Sequence, residues 1–226
     1  MCFSTTASFA SGALLTTIGI ISINKTRDIS QFMFASIPLV FAAQQFSEGF
    51  VWIALSHNSS YGLQQAAINF FLVFALIIWP EWIPFAMLFI EGNHRRRIIL
   101  GIFVGMGILF SNLSLYYLFA YHSSAHILRF HIYYELDIPN GGRILLGFLY
   151  LFPTILSLFV SSVKKVRIMG CLVLLSYLVT KLFFKDYVVS VWCFFAATIS
   201  VMIYYILARK TSSLQTGQSV FSTGST

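Results

Sequence analysis

Charge is what this sequence has least of. Only 9% of its 226 residues are Asp, Glu, Lys or Arg, against roughly 25% in soluble domains. The seven acids are outnumbered by fourteen basic residues, for a net charge of +7. In a soluble protein that surplus would invite nucleic acid. Here the bases sit in short clusters between apolar runs, so a membrane partner explains them and no nucleic-acid partner is expected. Cysteine is scarce too: Cys2, Cys171 and Cys193 form neither a disulfide framework nor a CxxC pair for zinc or redox work. No basic leader or small-residue cleavage site precedes the first apolar run, which therefore reads as a retained helix. There is no repeat of 20–50 residues, and the halves lack the similarity that inverted-repeat transporters can show.

What is abundant is apolar: 58% of the chain is hydrophobic and 17% aromatic. A bilayer core of ~30 Å needs ~20 helical residues at 1.5 Å each. Seven segments meet or approach that length, at Phe3–Ile23, Gln31–Leu55, Leu63–Ile90, Ile98–Tyr121, Ile144–Ser162, Ile168–Phe184 and Tyr187–Ala208. The expected fold is an all-α seven-helix bundle over residues 1–208. The sixth segment is the shortest, and only Lys185-Asp186 separates it from the seventh; a long helix followed by a re-entrant piece would give six spans instead. Residues 209–226, rich in Ser, Thr, Gly and Gln, read as a disordered tail.

Ten of the fourteen basic residues fall on one side: Lys25, Arg27, Arg95–Arg97, Lys164, Lys165, Arg167, Arg209 and Lys210. Only Arg129, Arg143, Lys181 and Lys185 fall on the other. The positive-inside rule then places the N-terminus outside and the C-terminus in the cytoplasm. Small residues at spacing four, Ser4-Ser8-Gly12 and Gly101-Gly105, let helices approach closely in lipid, within the chain or in an oligomer. Trp79-Pro80-Glu81-Trp82-Ile83-Pro84 interrupts the third segment and suits a kink with interfacial tryptophans near the cytoplasmic end.

The stretch PLVFAAQQFSEGFVW (residues 38–52) carries Gln44, Gln45 and Glu48 in the middle of an apolar span. A carboxylate there costs ~2.5 kcal/mol or more, so an intramembrane acid is a functional-site hypothesis by default. Gln44 and Glu48, four apart, share a helical face, about 10 Å below the outer end by helical rise. Ser111, Asn112 and Ser114, with Tyr117 above, lie at comparable depth on the fourth helix, and Ser4, Thr5, Thr6 and Ser8 on the first. Together they suggest an outward-facing polar pocket. No Lys or Arg lies at that depth, and burial disfavours a bare charge. A protonated acid, a bound cation or a small polar ligand is expected, in transport or sensing.

A second pattern is His122-x-x-x-His126. On a continued fourth helix the two imidazoles share a face, a spacing that can hold one zinc, with Glu48 or Cys2 as a further ligand. His131, Glu135 and Asp137 follow, before the turn signal Pro139-Asn140-Gly141-Gly142. Zinc-bound water beside Glu48 would make the chain a metal-dependent hydrolase; without any ligand it would be a structural subunit. Cys2 could also act as an N-terminal nucleophile. A retinal protein is excluded by the lack of lysine in the seventh helix. A three-His zinc hydrolase of the ceramidase type needs histidine there, and it has none.

The opening MCFSTTASFASG, followed by IPLVFAAQQFSEGFVW, resembles an uncharacterised family of bacterial multi-pass membrane proteins. Its members begin MCFS-x-x-ASF and carry QQ-x-x-EG in the second helix. The likeness concentrates in residues 1–52, with similar hydropathy to about residue 208. It implies that Cys2, Ser4, Ser8, Gln44, Gln45, Glu48 and Gly49 form the family pattern, and that the chain sits in a bacterial inner membrane. It brings no activity with it.

Overall fold

The computed structural model describes residues 4–57, 59–128, 131–136, 143–183 and 187–208. The expectations for Cys2, Asp137, the 139–142 turn, Lys185-Asp186 and the 209–226 tail lie outside them. Among the described residues seven helices follow one another: α1 (Thr5–Asn24), α2 (Ile29–Ser56), α3 (Tyr61–Ile90), α4 (His94–Ala120), α5 (Leu145–Val160), α6 (Lys164–Phe183) and α7 (Val188–Ala208). All but α5 are long and apolar enough to cross a membrane. The shortest helix is thus the fifth, where the sixth was expected to be. Its backbone is helical from Arg143 and ends where Ser161 turns extended (ψ 139°). α6, by contrast, starts at Lys164, earlier than hydropathy alone suggests. α6 and α7 are separate helices packed on each other, with Tyr177 and Trp192 rings 5.3 Å apart.

α1 and α2 pack closely because small residues let them. A Cβ at Gly12 would strike the Phe46 ring, one at Gly19 the Leu39 backbone, and one at Gly49 the Phe9 ring. Ser8 and Gly12 of the Ser4-Ser8-Gly12 row are therefore buried inside the chain, while Ser4 is exposed and caps α1. Gly101 and Gly105, by contrast, face open space.

The Trp-Pro stretch does not break α3. Its helix widens to π geometry at Phe74–Ile78 and resumes at Trp79. Pro84 has no N–H to give the Pro80 carbonyl four residues back. Gly107 of α4 packs directly on that carbonyl, where a Cβ would collide with it. Ser111, one turn on, donates to the Ile77 carbonyl at 2.9 Å. Backbone groups disturbed inside a membrane are satisfied by a neighbouring helix in this way. α5 repeats the device with a π segment at Phe152–Leu156 around Pro153.

The connection after α4 holds strands. β1 (Ser123–Leu128) pairs antiparallel with β2 (His131–Leu136), with Ala125 opposite Tyr134 and Ile127 opposite Ile132. The hairpin lays Ala125 and Ile132 onto Trp52, Ile68, Phe71 and Leu72, and Tyr134 stacks on Phe71 at 4.6 Å. It caps the end of the bundle where α2 ends and α3 begins. The basic connections meet at the opposite end, around a cavity lined from residues 28–34, 90, 163–166 and 206–207.

Candidate functional site

The second helix buries its polar residues completely: Gln44, Gln45 and Glu48 are each 0% exposed. Gln44 is the hub. Its Oε1 accepts from Trp79 Nε1 at 2.7 Å, and its Nε2 lies 3.1 Å from Cys193 Sγ as donor. Glu48, one turn nearer the hairpin, accepts from the Ser190 hydroxyl at 2.6 Å. The site is thus built by α2, α3 and α7. Phe41 stacks on Trp79 with centroids 3.8 Å apart and fixes the indole that serves Gln44.

Gln45 differs from its neighbours. Both its amide atoms are buried and neither has a hydrogen-bond partner. Ser8 Oγ on α1 and Trp52 Nε1 on α2 are in the same condition. Gln45, Glu48 and Trp52 are spaced three and four apart and so lie on one helical face.

The other expected members go elsewhere. Asn112 is exposed and donates to the Ile108 carbonyl of its own helix at 2.8 Å. Ser111 is spent on the Ile77 carbonyl. Ser114 and Tyr117 line a separate cavity of about 240 Å³ that Tyr150, Trp192 and Cys193 also wall. A narrower apolar cavity of about 50 Å³ touches Trp79 and Cys193 from the other side. The fourth helix therefore does not face Glu48. Ser190 and Cys193 of α7, which do, are placed by a three-residue spacing within VVSVWC that puts both on one face. Trp79, expected at the interface, is 3% exposed in the bundle centre.

His122 and His126 are not on a helix. α4 ends at Ala120, and His126 is exposed on β1 opposite Tyr133. Four residues along a strand span about 13 Å, so the pair does not share a zinc as it would over one helical turn. His122 Nδ1 instead lies 3.1 Å from the Tyr61 hydroxyl. Among the described residues no three His, Cys, Asp or Glu side chains gather into a group that could hold a metal. Both histidines border a cavity of about 360 Å³ that also reaches Gln64 and Gln65. The polar network behind it is self-contained: Gln65 donates to Ser123 Oγ at 2.6 Å, and Ser123 donates to Asn69 at 2.6 Å.

Helices of this length around a buried polar centre define an integral membrane protein of the multi-pass helical class. Within that class the chain belongs to DUF6629, a family of unknown function that matches residues 1–218. No curated protein and no solved structure matches it.

Proposed function

We propose that the chain binds a proton, a cation or a small polar ligand at the cluster of Gln44, Gln45 and Glu48, as a transporter or sensor in a bacterial inner membrane. The observation that carries this reading is Gln45. Buried polar groups without partners are rare in folded proteins, and those that occur point to a water, ion or ligand at the site. Gln45 has two such atoms one turn from an intramembrane acid. The cluster is closed, which favours a species no larger than water. Of these a proton is favoured, because Glu48 already holds a donor in Ser190 and a second state of the carboxyl needs no added room. The cavity beside the hairpin supports the outward direction, since it approaches the same end of α2.

The test is thermal unfolding of the detergent-purified chain across pH, with and without monovalent and divalent cations. Wild-type protein should show a midpoint that moves with pH or with one cation, and Glu48→Gln should reduce that response to the part that Glu91 and His131 contribute. A Gln45→Leu variant separates ligand from packing, because it loses the amide but keeps the bulk. If Glu48→Gln responds to pH and to every cation as the wild type does, the reading fails.

A further inference from the structure

The basic end of the bundle carries a cavity that the Glu48 cluster does not use. It measures about 660 Å³ and lies between Asp28 with the start of α2, the end of α3, the start of α6 and the end of α7. Its floor is apolar, made by Phe34, Ile90, Ile206 and Leu207. Its rim holds Lys164 and Lys165, with Ser30 and Gln31 opposite. Both lysines are exposed.

We propose that this cavity is a binding site for the headgroup and upper acyl chain of an anionic phospholipid. Three features converge on that occupant. First, two ammonium groups stand at the mouth of an apolar hollow, and a free anion would have no use for the floor. Second, the cavity sits where four membrane-spanning elements end, which is the depth of lipid headgroups. Basic hollows between transmembrane helices at that level suit anionic lipid. Third, residues 164–166 on its wall lie in the first turn of a twenty-residue helix, whose N-terminal dipole adds to the attraction for phosphate. Asp28 also lines the rim, where Gln31 Nε2 reaches its Oδ2 at 3.5 Å. It subtracts one charge from the two lysines and so sets the strength of the site.

The full chain, purified in an uncharged detergent, is titrated with phosphatidylglycerol, phosphatidylcholine and inorganic phosphate by native mass spectrometry. Phosphatidylglycerol should be retained in preference to phosphatidylcholine. Lys164→Gln/Lys165→Gln should weaken it roughly thirty-fold, from two charges near a headgroup. Arg95→Gln/Arg97→Gln removes the same charge from the same end but outside the cavity, and should change retention by less than about threefold. Asp28→Asn should tighten binding. Equal weakening by the two double variants would mean diffuse attraction and overturn the site. So would equal retention of phosphatidylcholine, or inorganic phosphate binding as tightly as the lipid. Both lysines are exposed, so the variants fold, and unfolding midpoints equal to the wild type's serve as the control.

Discussion

Trp79 donates its indole N–H to Gln44 at 2.7 Å and joins α3 to α2 in the centre of the bundle. The amide's other end reaches Cys193 on α7, so one side chain ties three helices. A neutral amide can do this because it offers an acceptor and a donor at once.

Removing both partners of that bond should cost less than the sum of removing each. Trp79→Phe retains the stack on Phe41 but leaves Gln44 Oε1 buried and bare, at about 1–3 kcal/mol. Gln44→Leu strands the indole at a similar cost. The double variant should recover part of the sum, read as coupling in a double-mutant cycle of unfolding in detergent. Strict additivity would show that the bond contributes nothing.

Gly107 and Gly101 lie on one helix and make opposite predictions. Gly107→Ala drives a methyl group into the Pro80 carbonyl, which is backbone and cannot swing aside. The loss should be about 1–3 kcal/mol. Gly101→Ala meets open space and should be neutral or stabilising by up to about 1 kcal/mol in a helix interior. Unfolding midpoints of the two variants decide the matter.

Glu91 locks the α3–α4 connection to the end of α5. Its carboxylate accepts from the Ser162 N–H at 2.7 Å, the Ser162 hydroxyl at 2.6 Å and the Asn93 N–H at 2.9 Å. Burial by itself would raise this carboxyl, but these hydrogen bonds, with Arg96 nearby, outweigh it and hold it below its ordinary value. A lowered acid stabilises the fold at pH above the ordinary carboxylate range, and the contribution is lost as pH falls through the lowered value. Glu91→Gln should therefore lose about 1.5–3 kcal/mol at neutral pH. Its stability should also fall less than the wild type's on acidification, measured as midpoint against pH.

The hairpin should depend on one side chain. Ile132 is 0% exposed beneath it, and Ile132→Ala should cost about 2–5 kcal/mol. Hydrogen exchange should show strand amides 123–128 and 131–136 opening while the helices stay protected. His131 adds a pH dependence of the same sign as Glu91. Burial holds its imidazole below the usual value, so hairpin protection should fall as the pH drops below about 6.5, where the unfolded histidine charges.

The class of fold was legible because hydropathy over twenty residues is a local property. The count of seven helices and the intramembrane Gln44, Gln45 and Glu48 follow from it. The hairpin left a signal of its own, the alternation of Ile132, Tyr134 and Leu136 against His131, Tyr133 and Glu135. The zinc reading of His122 and His126 required the fourth helix to continue past Tyr121, and a strand there removes that condition. The partners of Glu48 were assigned by depth along the fourth and first helices. Depth orders residues along the membrane normal but says nothing of which helices touch.

The sequence by itself therefore determined which stretches enter the membrane and which acid goes with them, since every residue in lipid is selected by the same solvent. Only the tertiary structure decided that α7 rather than α4 faces Glu48, that Trp79 turns inward to Gln44, and that His122 and His126 part along a strand. Those outcomes depend on how the helices rotate about their axes. That rotation is set by contacts such as Gly12 on Phe46 and Gly107 on Pro80, between residues far apart in the chain.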